Sequence, residues 1–255
     1  MKRVVKVGGR AQSSRDLAER IASAWRASPG SFCVVHGGGD RISEFQRRMG
    51  LEPSFVDGRR ITTRQDMEIV RMVLPGLVNK GLVSIFIAAG LPAVGISGED
   101  AGTITATPID TGGLGRAGKP VDVNPGLIET LLDRGYLPVI SPLAADDGAT
   151  GEVLNVNADD AAAAIAIALA ASELLLIADV EGVLDVSGKP IACLDQADAG
   201  ELIHSGVINQ GMKAKLEAGF AALTGGVGRV RISTLDGLTD PAPGTVLTFA
   251  QSLIT

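Results

Sequence analysis

Aromatic residues and cysteines are scarce in this chain of 255 residues. Aromatic side chains account for 3% of the sequence while glycine occurs 33 times, so we expect a core of Val, Ile, Leu and Ala packed around many tight turns. The two cysteines, Cys33 and Cys193, have neither CxxC nor metal-ligand spacing, which excludes a disulfide framework and a cysteine-based zinc site. A reducing compartment fits this composition best.

An excess of positive charge and a long apolar run are also missing. The chain has 23 basic and 29 acidic side chains and a formal net charge of -6, so it has no overall attraction to nucleic acid or to anionic lipid. Its first residues reach Gly8 and Gly9 before an apolar signal segment could form, and we expect no segment of transmembrane length. These features predict a cytoplasmic protein without nucleic-acid or membrane partners.

The apolar residues that are present predict an α/β fold. They make up 45% of the chain, enough for one large α/β unit or for two lobes that share a sheet. Short apolar segments rich in β-branched residues alternate with stretches of helical periodicity, as in a mainly parallel sheet that is covered on both faces. The predicted strands are 4–7, 32–35, 92–96, 137–140, 174–178 and 227–232.

Three segments between these strands carry more specific expectations. Thr63 followed by Asp66 predicts the start of a long helix that Pro75 should kink or split. Residues 101–123 alternate Thr, Ile and Val with glycines, which predicts β-hairpins in a flap or at a sheet edge. Residues 158–171 are so rich in Ala, Ile and Leu that we expect a helix packed on several sides, near the junction of two lobes.

Two glycine-rich turns follow predicted strands. Lys6-Val7-Gly8-Gly9 ends the first strand and His36-Gly37-Gly38-Gly39 ends the second. Backbone N–H groups without side chains around them can converge on an anion at a helix N-terminus, and the charge of Lys6 can reach an oxygen of the same ligand. One such turn alone more often serves tight packing, but two turns with a lysine indicate an anionic ligand at adjacent strand ends.

The order of the motifs along the chain is more specific than any one of them. The two glycine turns are followed by Asp57-Gly58-Arg59-Arg60-Ile61-Thr62, Gly95-Ile96-Ser97-Gly98, Asn155-Val156-Asn157-Ala158-Asp159, Asp179-Val180-Glu181-Gly182-Val183-Leu184, Gly211-Met212-Lys213-Ala214-Lys215 and Gly244-Thr245. This ordered set resembles the N-acetylglutamate kinases of the amino-acid kinase family over essentially the whole chain. The resemblance implies a three-layer α/β/α sandwich with a mainly parallel central sheet and two lobes. Residues 1–154 would bind the acylated amino acid and form the dimer contact, and residues 155–255 would bind ATP.

The same resemblance implies a role for each candidate site residue. Lys6 and Lys215 would stabilise charge on the transferring phosphoryl group, and Asp159 would orient both lysines. The acylated glutamate would be held by Gly38, Gly39, Arg60 and Asn155. The nucleotide would contact Gly8, Gly9, Asp179, Val180, Gly182, Val183, Leu184, Val207, Ile208 and Asn209. Mg²⁺ would arrive with ATP, keep much of its water shell and need no dedicated protein ligand.

These roles agree with the chemistry of phosphoryl transfer to a carboxylate. The side-chain carboxylate of N-acetyl-L-glutamate is ionised at neutral pH because its pKa lies near ~4.3, so its attack on the γ-phosphate of ATP needs no general base. The resemblance therefore implies formation of N-acetyl-L-glutamyl 5-phosphate, a step of arginine biosynthesis. Two alternatives stay open: a kinase of the same fold for N-succinylglutamate or carrier-bound aminoadipate, and a metabolite sensor without turnover. The segment around Arg60 argues against carbamate and aspartate as acceptors.

Each key residue also has a plainer interpretation when it is considered alone. Arg60 would be a solvated surface arginine, Lys215 an exposed helix lysine and Asp159 a carboxylate at a helix start. Asn155 and Asn157 would cap the helix that follows them. Only the order of the motifs along the chain favours the catalytic interpretation.

Three departures from the family pattern bear on specificity and assembly. Arg10 stands where a small or apolar residue is usual, and Glu99 stands where lysine often follows Gly-x-Ser-Gly. Lys6 lies almost at the chain start, so the N-terminal helix associated with arginine-inhibited hexameric members is missing. We therefore expect a homodimer without arginine feedback.

Overall fold

The computed structural model describes residues 2–9, 11–56, 58–109, 113–148, 150–208 and 210–249. Within these residues the strands are β1 (Arg3–Val7), β2 (Phe32–His36), β3 (Phe55–Val56), β4 (Arg59–Arg60), β5 (Ala93–Ser97), β6 (Ile104–Pro108), β7 (Ala117–Val123), β8 (Leu137–Ser141), β9 (Leu143–Asp146), β10 (Val153–Val156), β11 (Glu173–Ile177), β12 (Cys193–Leu194), β13 (Val230–Ser233) and β14 (Thr245–Leu247). The α-helices are α1 (Leu17–Ala27), α2 (Gly39–Arg48), α3 (Arg64–Met72), α4 (Asn79–Ala88), α5 (Gly126–Asp133), α6 (Ala158–Ala168), α7 (Gln196–His204) and α8 (Gln210–Thr224). A π-helical segment, Val73–Val78, joins α3 to α4.

One mainly parallel sheet runs through the described part of the chain. Its eight strands follow the order β12-β14-β13-β11-β1-β2-β8-β5, and β13 and β14 form an antiparallel pair within it. All six predicted strands are confirmed, as β1, β2, β5, β8, β11 and β13. The first strand of the chain lies at the centre, paired with β2 on one side and with β11 on the other. Its residues Val4, Val5 and Val7 are fully buried, as expected for a central parallel strand.

Helices cover both faces of this sheet, and the alternation of side chains along β1 and β2 separates the two faces. Lys6 points to the face of α6, where its Nζ lies 2.9 Å from Oδ1 of Asp159. His36 is paired with Val7, one residue further along, so its side chain points to the opposite face. There it contacts Asn79 at the start of α4. Because α8 packs beside α6 and α1 beside α4, the predicted three-layer α/β/α sandwich is confirmed.

The predicted hairpin region contributes to a small barrel. β6 and β7 are antiparallel neighbours, and together with β9 and β10 they close into a four-stranded barrel. The hairpin is therefore confirmed, but its expected place in a flap or at an open edge is wrong because a closed barrel has no free edge. Residues 110–112, between the two strands, lie outside the described residues.

The long helix predicted after Thr63 is continuous from Arg64 to Ala88. Oγ1 of Thr63 accepts a hydrogen bond from the N–H of Asp66, and Oδ2 of Asp66 accepts one from the N–H of Thr63, so the two residues form a capping box. Of the two effects expected of Pro75, a kink or a split, the split does not occur. The residues around it form the wider π turn instead, which accommodates the proline ring and the missing N–H.

By length and composition this helix is also apolar enough to cross a membrane, with a mean hydropathy of 1.5 over 18 residues. The expectation that no segment reaches transmembrane length is therefore wrong. In the fold, part of the helix is buried in the core, as in a core helix of a globular protein, through Val73, Leu74, Val78, Leu82 and Phe86. Its large exposed apolar side chains are Met72, Leu77, Ile85 and Ile87.

Candidate active site

The two glycine turns lie next to each other at the carboxyl edge of the sheet. β1 and β2 are paired in register from Arg3 to Val7, so the turns that follow them start side by side. Gln12 links the turns, because its Nε2 donates to the carbonyl oxygens of Val7 (3.2 Å) and Gly37 (2.9 Å). α2 begins at Gly39, so its first N–H groups and the positive end of its dipole lie at this edge.

Beside the turns, two lysines share one carboxylate. Nζ of Lys6 on β1 lies 2.9 Å from Oδ1 of Asp159 on α6. Nζ of Lys215 on α8 lies 3.2 Å from Oδ1 and 3.3 Å from Oδ2 of the same carboxylate. The side chains of Lys6, Asp159 and Lys215 are 6%, 7% and 14% exposed. The interpretation of Lys215 as an exposed helix lysine is therefore wrong, and the structure brings the three predicted catalytic residues together.

Burial and charge act against each other in this cluster. Burial lowers the pKa of Lys6 to about 8, although the Asp159 carboxylate partly counteracts the shift and Lys215 adds to it. Burial by itself would raise the pKa of Asp159, but the two ammonium groups outweigh it, so the pKa of this carboxyl is lowered. Two cations around one anion leave a net positive charge away from water, which costs stability. The cluster is therefore suited to receive a negatively charged ligand.

A cavity of about 190 Å³ opens next to this cluster. Lys6 and Asp159 form one end of it, and the glycine turn and the β3–β4 hairpin form its sides. All four predicted acceptor-binding residues, Gly38, Gly39, Arg60 and Asn155, line this cavity. Other residues of its lining are Phe55, Leu74, Ala117, Gly118 and Pro142. We refer to it as the acceptor cavity.

Arg60 is held in place by a network that starts on α2. Its Nη2 donates to the carbonyl oxygen of Gly39 and to Oγ of Ser43, both at 2.8 Å, and its Nη1 donates to Oε1 of Gln46. Gln46 in turn donates to Oδ1 of Asp66 at 2.6 Å. Because Arg60 is only 7% exposed, its interpretation as a solvated surface arginine is wrong. Burial lowers its pKa, with Asp66 opposing the shift, and the guanidinium stays charged.

The two asparagines of the Asn155 segment have different partners. Nδ2 of Asn155 on β10 donates to Oγ1 of Thr62 at 3.1 Å, which ties this strand to the segment that carries Arg60. Oδ1 of Asn157 accepts a hydrogen bond from the N–H of Asp159 at 2.8 Å, so it caps α6. The capping interpretation is therefore confirmed for Asn157 and wrong for Asn155.

A second cavity, of about 480 Å³, lies on the other side of Lys6. It is lined by the first glycine turn, by residues 177–180 at the end of β11 and by the start of α8. Among the predicted nucleotide contacts, Gly8, Gly9, Asp179 and Val180 line it. We refer to it as the nucleotide cavity. Lys6 and Gly39 line both cavities, so the two spaces meet at the lysine–carboxylate cluster.

The remaining predicted nucleotide contacts lie away from this lining. Gly182, Val183, Leu184, Val207 and Ile208 are described, and neither cavity is lined by them. The loop at 182–183 packs on Thr245, whose Oγ1 accepts a hydrogen bond from the N–H of Val183 at 2.7 Å. A Cβ at position 182 would lie 2.6 Å from the same Oγ1, so the close approach requires glycine there. Asn209 lies outside the described residues.

Several residues of the site were not foreseen from the sequence. Asp40 lines the nucleotide cavity directly after the glycine run, and its position in the motif could have indicated this. Phe55 is paired with Arg60 across the β3–β4 hairpin, and its ring centroid lies 4.6 Å from the guanidinium carbon. Ser43 and Gln46 are three residues apart and share one face of α2, but nothing in the sequence assigns Arg60 to that face.

Of the departures from the family pattern, one can be placed. Oε1 of Glu99 lies 2.6 Å from Nη2 of Arg71 on α3, so its negative charge is compensated locally. Glu99 lines neither the acceptor cavity nor the nucleotide cavity. Arg10 and Asp57 lie outside the described residues.

The family of the chain follows from comparison with known proteins. The model of the amino acid kinase family matches residues 1–233. The chain belongs to the amino acid kinase family. As a member of this kinase family it takes ATP as phosphoryl donor for a small-molecule substrate.

Two curated relatives share the family and are named acetylglutamate kinase. The protein from Chlorobaculum tepidum is 41% identical over 233 residues, which cover 90% of this chain and 81% of the relative. The protein from Methanopyrus kandleri is 41% identical over 253 residues, which cover 96% of this chain and 99% of the relative.

Solved structures share the fold of this chain. The crystal structure of smu.665 from Streptococcus mutans UA159 superimposes with a TM-score of 0.85 at 31% identity and covers 96% of this chain and 98% of that one. N-acetylglutamate synthase from Neisseria gonorrhoeae, complexed with coenzyme A and L-arginine, gives a TM-score of 0.78 at 21% identity. The match covers 97% of this amino acid kinase and 61% of the synthase, and it supports the fold alone.

Proposed function

We propose that this chain transfers the γ-phosphoryl group of ATP to the side-chain carboxylate of N-acetyl-L-glutamate, giving N-acetyl-L-glutamyl 5-phosphate in arginine biosynthesis. The observation that carries the proposal is the Lys6–Asp159–Lys215 cluster at the junction of two cavities. One cavity presents Arg60 to an acidic acceptor, and the other lies against a glycine turn suited to phosphates. The acyl group is supported by the curated relatives, which are named acetylglutamate kinase.

The lysine cluster is suited to phosphoryl transfer. Negative charge is spread over the equatorial oxygens of the transferring group, and catalysis consists mainly of positioning and electrostatic stabilisation. Lys6 would contact this group from the junction of the two cavities, and Lys215 from the nucleotide cavity. Asp159 would keep the two ammonium groups at fixed positions. The acceptor carboxylate is ionised at neutral pH, so no side chain has to remove a proton.

Arg60 would bind the second carboxylate of the acceptor. Three of its five N–H donors are taken by Gly39, Ser43 and Gln46 within the described residues, which leaves two donors for a ligand. The charge-assisted hydrogen bonds so formed would fix the distance between the acceptor and Lys6. Asn155, which lines the same cavity, would add a polar contact, and the N–H groups of Gly38 and Gly39 would donate at the reacting end.

The nucleotide would place its phosphates against Gly8, Gly9 and Lys215, and its remaining part along residues 179–184 and 207–209. Mg²⁺ would bind through the phosphates and keep several water ligands. No group of three or more His, Cys, Asp or Glu side chains in the described part of the chain is placed to hold a metal ion. Asp40 and Asp179, which line the nucleotide cavity, are oxygen donors of the type that Mg²⁺ accepts, directly or through water.

The division into lobes is also a proposal. Residues 1–154 would bind the acylated amino acid and residues 155–255 would bind ATP. The strand order supports it, because β1, β2, β5 and β8 occupy one half of the sheet and β11 to β14 the other. The proposed boundary falls within β10, so the two lobes would share the barrel strand that carries Asn155.

We propose further that the enzyme is a cytoplasmic homodimer without arginine feedback. The exposed apolar side chains Leu77, Ile85 and Ile87 on the helix Arg64–Ala88 support a contact with a second copy of the chain. Light scattering is expected to give twice the chain mass of 26.1 kDa. A hexamer would contradict the proposed dimer, and inhibition by micromolar arginine would contradict the proposed absence of feedback.

The proposed reaction is tested by trapping the acyl phosphate with hydroxylamine. Purified enzyme with ATP and Mg²⁺ is given N-acetyl-L-glutamate, N-succinyl-L-glutamate, free L-glutamate or L-aspartate in parallel, and the hydroxamate is quantified. We expect product with N-acetyl-L-glutamate in large excess over the other acceptors. Product from another acceptor alone would refute the proposed substrate, and absence of product from all four by folded, ATP-binding protein would favour a sensor.

Catalysis is expected to weaken at alkaline pH because Lys6 loses its proton. Its pKa of about 8 applies to the free enzyme, so kcat/KM should fall by about tenfold for each pH unit above that value. The phosphates of bound ATP favour the ammonium form, so the decline of kcat should begin at a higher pH.

The stability of the fold is expected to change with pH in the opposite direction. The folded-state pKa lies below the unfolded value of 10.5, so the contribution of Lys6 to the free energy of unfolding increases as the pH rises from about 8 to about 10.5.

The measurement is a profile of kcat/KM from about pH 6 to about pH 10, with a thermal melt at each pH. A profile that stays flat up to about pH 10 would show that Lys6 keeps its proton or is not needed. If kcat/KM and the melting temperature decline together as the pH rises, the loss of activity would be due to unfolding and not to deprotonation of Lys6.

A further inference from the structure

His36 lies outside both cavities, yet it makes two polar contacts in the core. It is fully buried at the end of β2. Its Nδ1 lies 2.9 Å from the carbonyl oxygen of Gly37, and its Nε2 lies 3.0 Å from Nδ2 of Asn79, which is fully buried as well. Burial lowers the pKa of His36 to about 4, with the nearby charge of Lys80 acting in the same direction, so the ring is neutral at physiological pH.

The hydrogen-bond partners determine which ring nitrogen carries the proton. Nδ2 of Asn79 also lies 2.9 Å from the carbonyl oxygen of Val139, and Oδ1 of Asn79 accepts from Nζ of Lys80 at 3.3 Å. The amide nitrogen therefore faces acceptors, and Nε2 of His36 must accept from it. Nδ1 then carries the proton and donates to Gly37, so both partners require the same tautomer.

This donor, together with Gln12, orients the peptide group between Gly37 and Gly38. The carbonyl oxygen of Gly37 is held by Nδ1 of His36 and by Nε2 of Gln12, each at 2.9 Å. In a trans peptide the C=O and N–H bonds point in opposite directions, so the N–H of Gly38 points away from His36 and Gln12. Gly38 lines the acceptor cavity, and none of the backbone carbonyls in the described part of the chain accepts from its N–H.

The π turn positions Asn79, the hydrogen-bond partner of His36. It directly precedes Asn79, so the wider turn determines the rotation at which Asn79 leaves the helix. Leu74 and Val78 of the same turn reach Gly38, where a Cβ would lie 2.5 Å from Cδ2 of Leu74 and 3.4 Å from Val78. A Cβ at Gly95 would lie 1.9 Å from Oδ1 of Asn79. The buried amide is thus enclosed on several sides.

We propose that His36 and Asn79 are positioning residues of the phosphoryl transfer, which hold the Gly37–Gly38 peptide so that the N–H of Gly38 is directed to the reacting group. This inference rests on the proposed function. His36 touches neither substrate and acts through the backbone. Its effect belongs to kcat, because a displaced donor costs transition-state stabilisation.

Two substitutions separate this role from a purely structural one. His36→Asn places an amide nitrogen near the position of Nδ1, so it can still donate to the carbonyl oxygen of Gly37, but it is too short to reach Asn79. His36→Gln reaches Asn79 with an acceptor oxygen and has no donor near the position of Nδ1. Each variant loses one buried hydrogen bond, so we expect similar losses of thermal stability.

The two variants are compared by kcat, by KM for N-acetyl-L-glutamate and by KM for ATP. We expect His36→Gln to lower kcat by about 10- to 100-fold with little change in KM for ATP, and His36→Asn to keep at least about ten times the kcat of His36→Gln. Equal values of kcat for the two variants would overturn the proposal, whether both variants lose activity or both keep it. Failure of the wild-type enzyme to phosphorylate N-acetyl-L-glutamate would refute the proposed function instead.

A measurement on the wild-type protein covers the case in which the variants do not fold. The chain has only two histidines, so ¹⁵N NMR of the rings needs a single His204→Gln variant for assignment. We expect a protonated Nδ1 and an unprotonated Nε2 for His36 at neutral pH. The opposite tautomer would overturn the proposal whatever the activity of the enzyme.

Discussion

Replacing Lys215 by alanine is expected to lower kcat by about 10²- to 10³-fold, the usual cost of losing one donor that stabilises charge in a transition state. Lys215 contacts Asp159 from α8 and lines the nucleotide cavity. Its loss leaves Asp159 paired with Lys6 at 2.9 Å, so no buried carboxylate is left without a cation. The variant should therefore fold, and the effect should appear in kcat more than in the melting temperature.

Lys213→Ala is the matched control for this substitution. Lys213 lies two residues away on the same helix, its side chain is 44% exposed, and its Nζ lies 3.8 Å from Glu217 at the surface. Removing it changes the charge of α8 by the same amount but leaves the cluster intact, so kcat should change by less than about twofold. Equal effects of the two substitutions would show that Lys215 acts only through the overall field, and would remove it from the proposed mechanism.

Replacing Arg60 by lysine is expected to raise KM for N-acetyl-L-glutamate by about 10- to 100-fold, because hydrogen bonds to charged groups contribute about 1.5–3 kcal/mol each. An ammonium group keeps the charge but cannot reproduce the planar fork that reaches Gly39, Ser43 and Gln46 together. The acceptor would then bind weakly and in several orientations. KM for ATP should change little, because Arg60 does not line the nucleotide cavity.

Arg64→Lys is the control for the Arg60 substitution. The side chain of Arg64 is 85% exposed and its closest carboxylate oxygen, on Glu152, lies 3.4 Å away. Steady-state kinetics with each substrate varied in turn should give wild-type constants for this variant. If Arg60→Lys raises both KM values equally, or leaves both unchanged, Arg60 does not bind the acceptor in the way we propose.

The sequence was sufficient to predict six of the eight strands of the main sheet, but not the short strands β12 and β14. β1 and β2 are short, apolar and β-branched, and each ends in a glycine turn, so their adjacency at one edge of a parallel sheet follows from general rules of α/β folds. The meeting of Lys6, Asp159 and Lys215 does not follow from such rules. It depends on how α6 and α8 pack over β1, and it was inferred only through the resemblance to a known family.

The side chains that hold the site residues in place could not be predicted from the sequence, and the reason is physical. Gln46 and Ser43 hold Arg60 through contacts between α2 and the β3–β4 hairpin, and such tertiary contacts leave no periodic signal in the sequence. Pro75 predicted a kink or a split of the helix, and the split does not occur. Proline inside a helix usually breaks it, whereas here the π turn absorbs it and the helix continues. The contact between His36 and Asn79 leaves no such signal either, because the two residues lie 43 positions apart in the chain.

The central place of β1 in the sheet has a consequence for the synthesis of the protein. On the ribosome, β1 can pair with β2 soon after residue 36 emerges, but its other edge has no partner until β11 has been made, at residues 173–177. During this interval an apolar strand containing Val4, Val5 and Val7 keeps a row of open hydrogen-bonding groups, which is a template for aggregation. β1 is therefore made before every other described strand but is enclosed on both edges only after β11, and the nascent chain is most vulnerable while residues 37–177 are still being made.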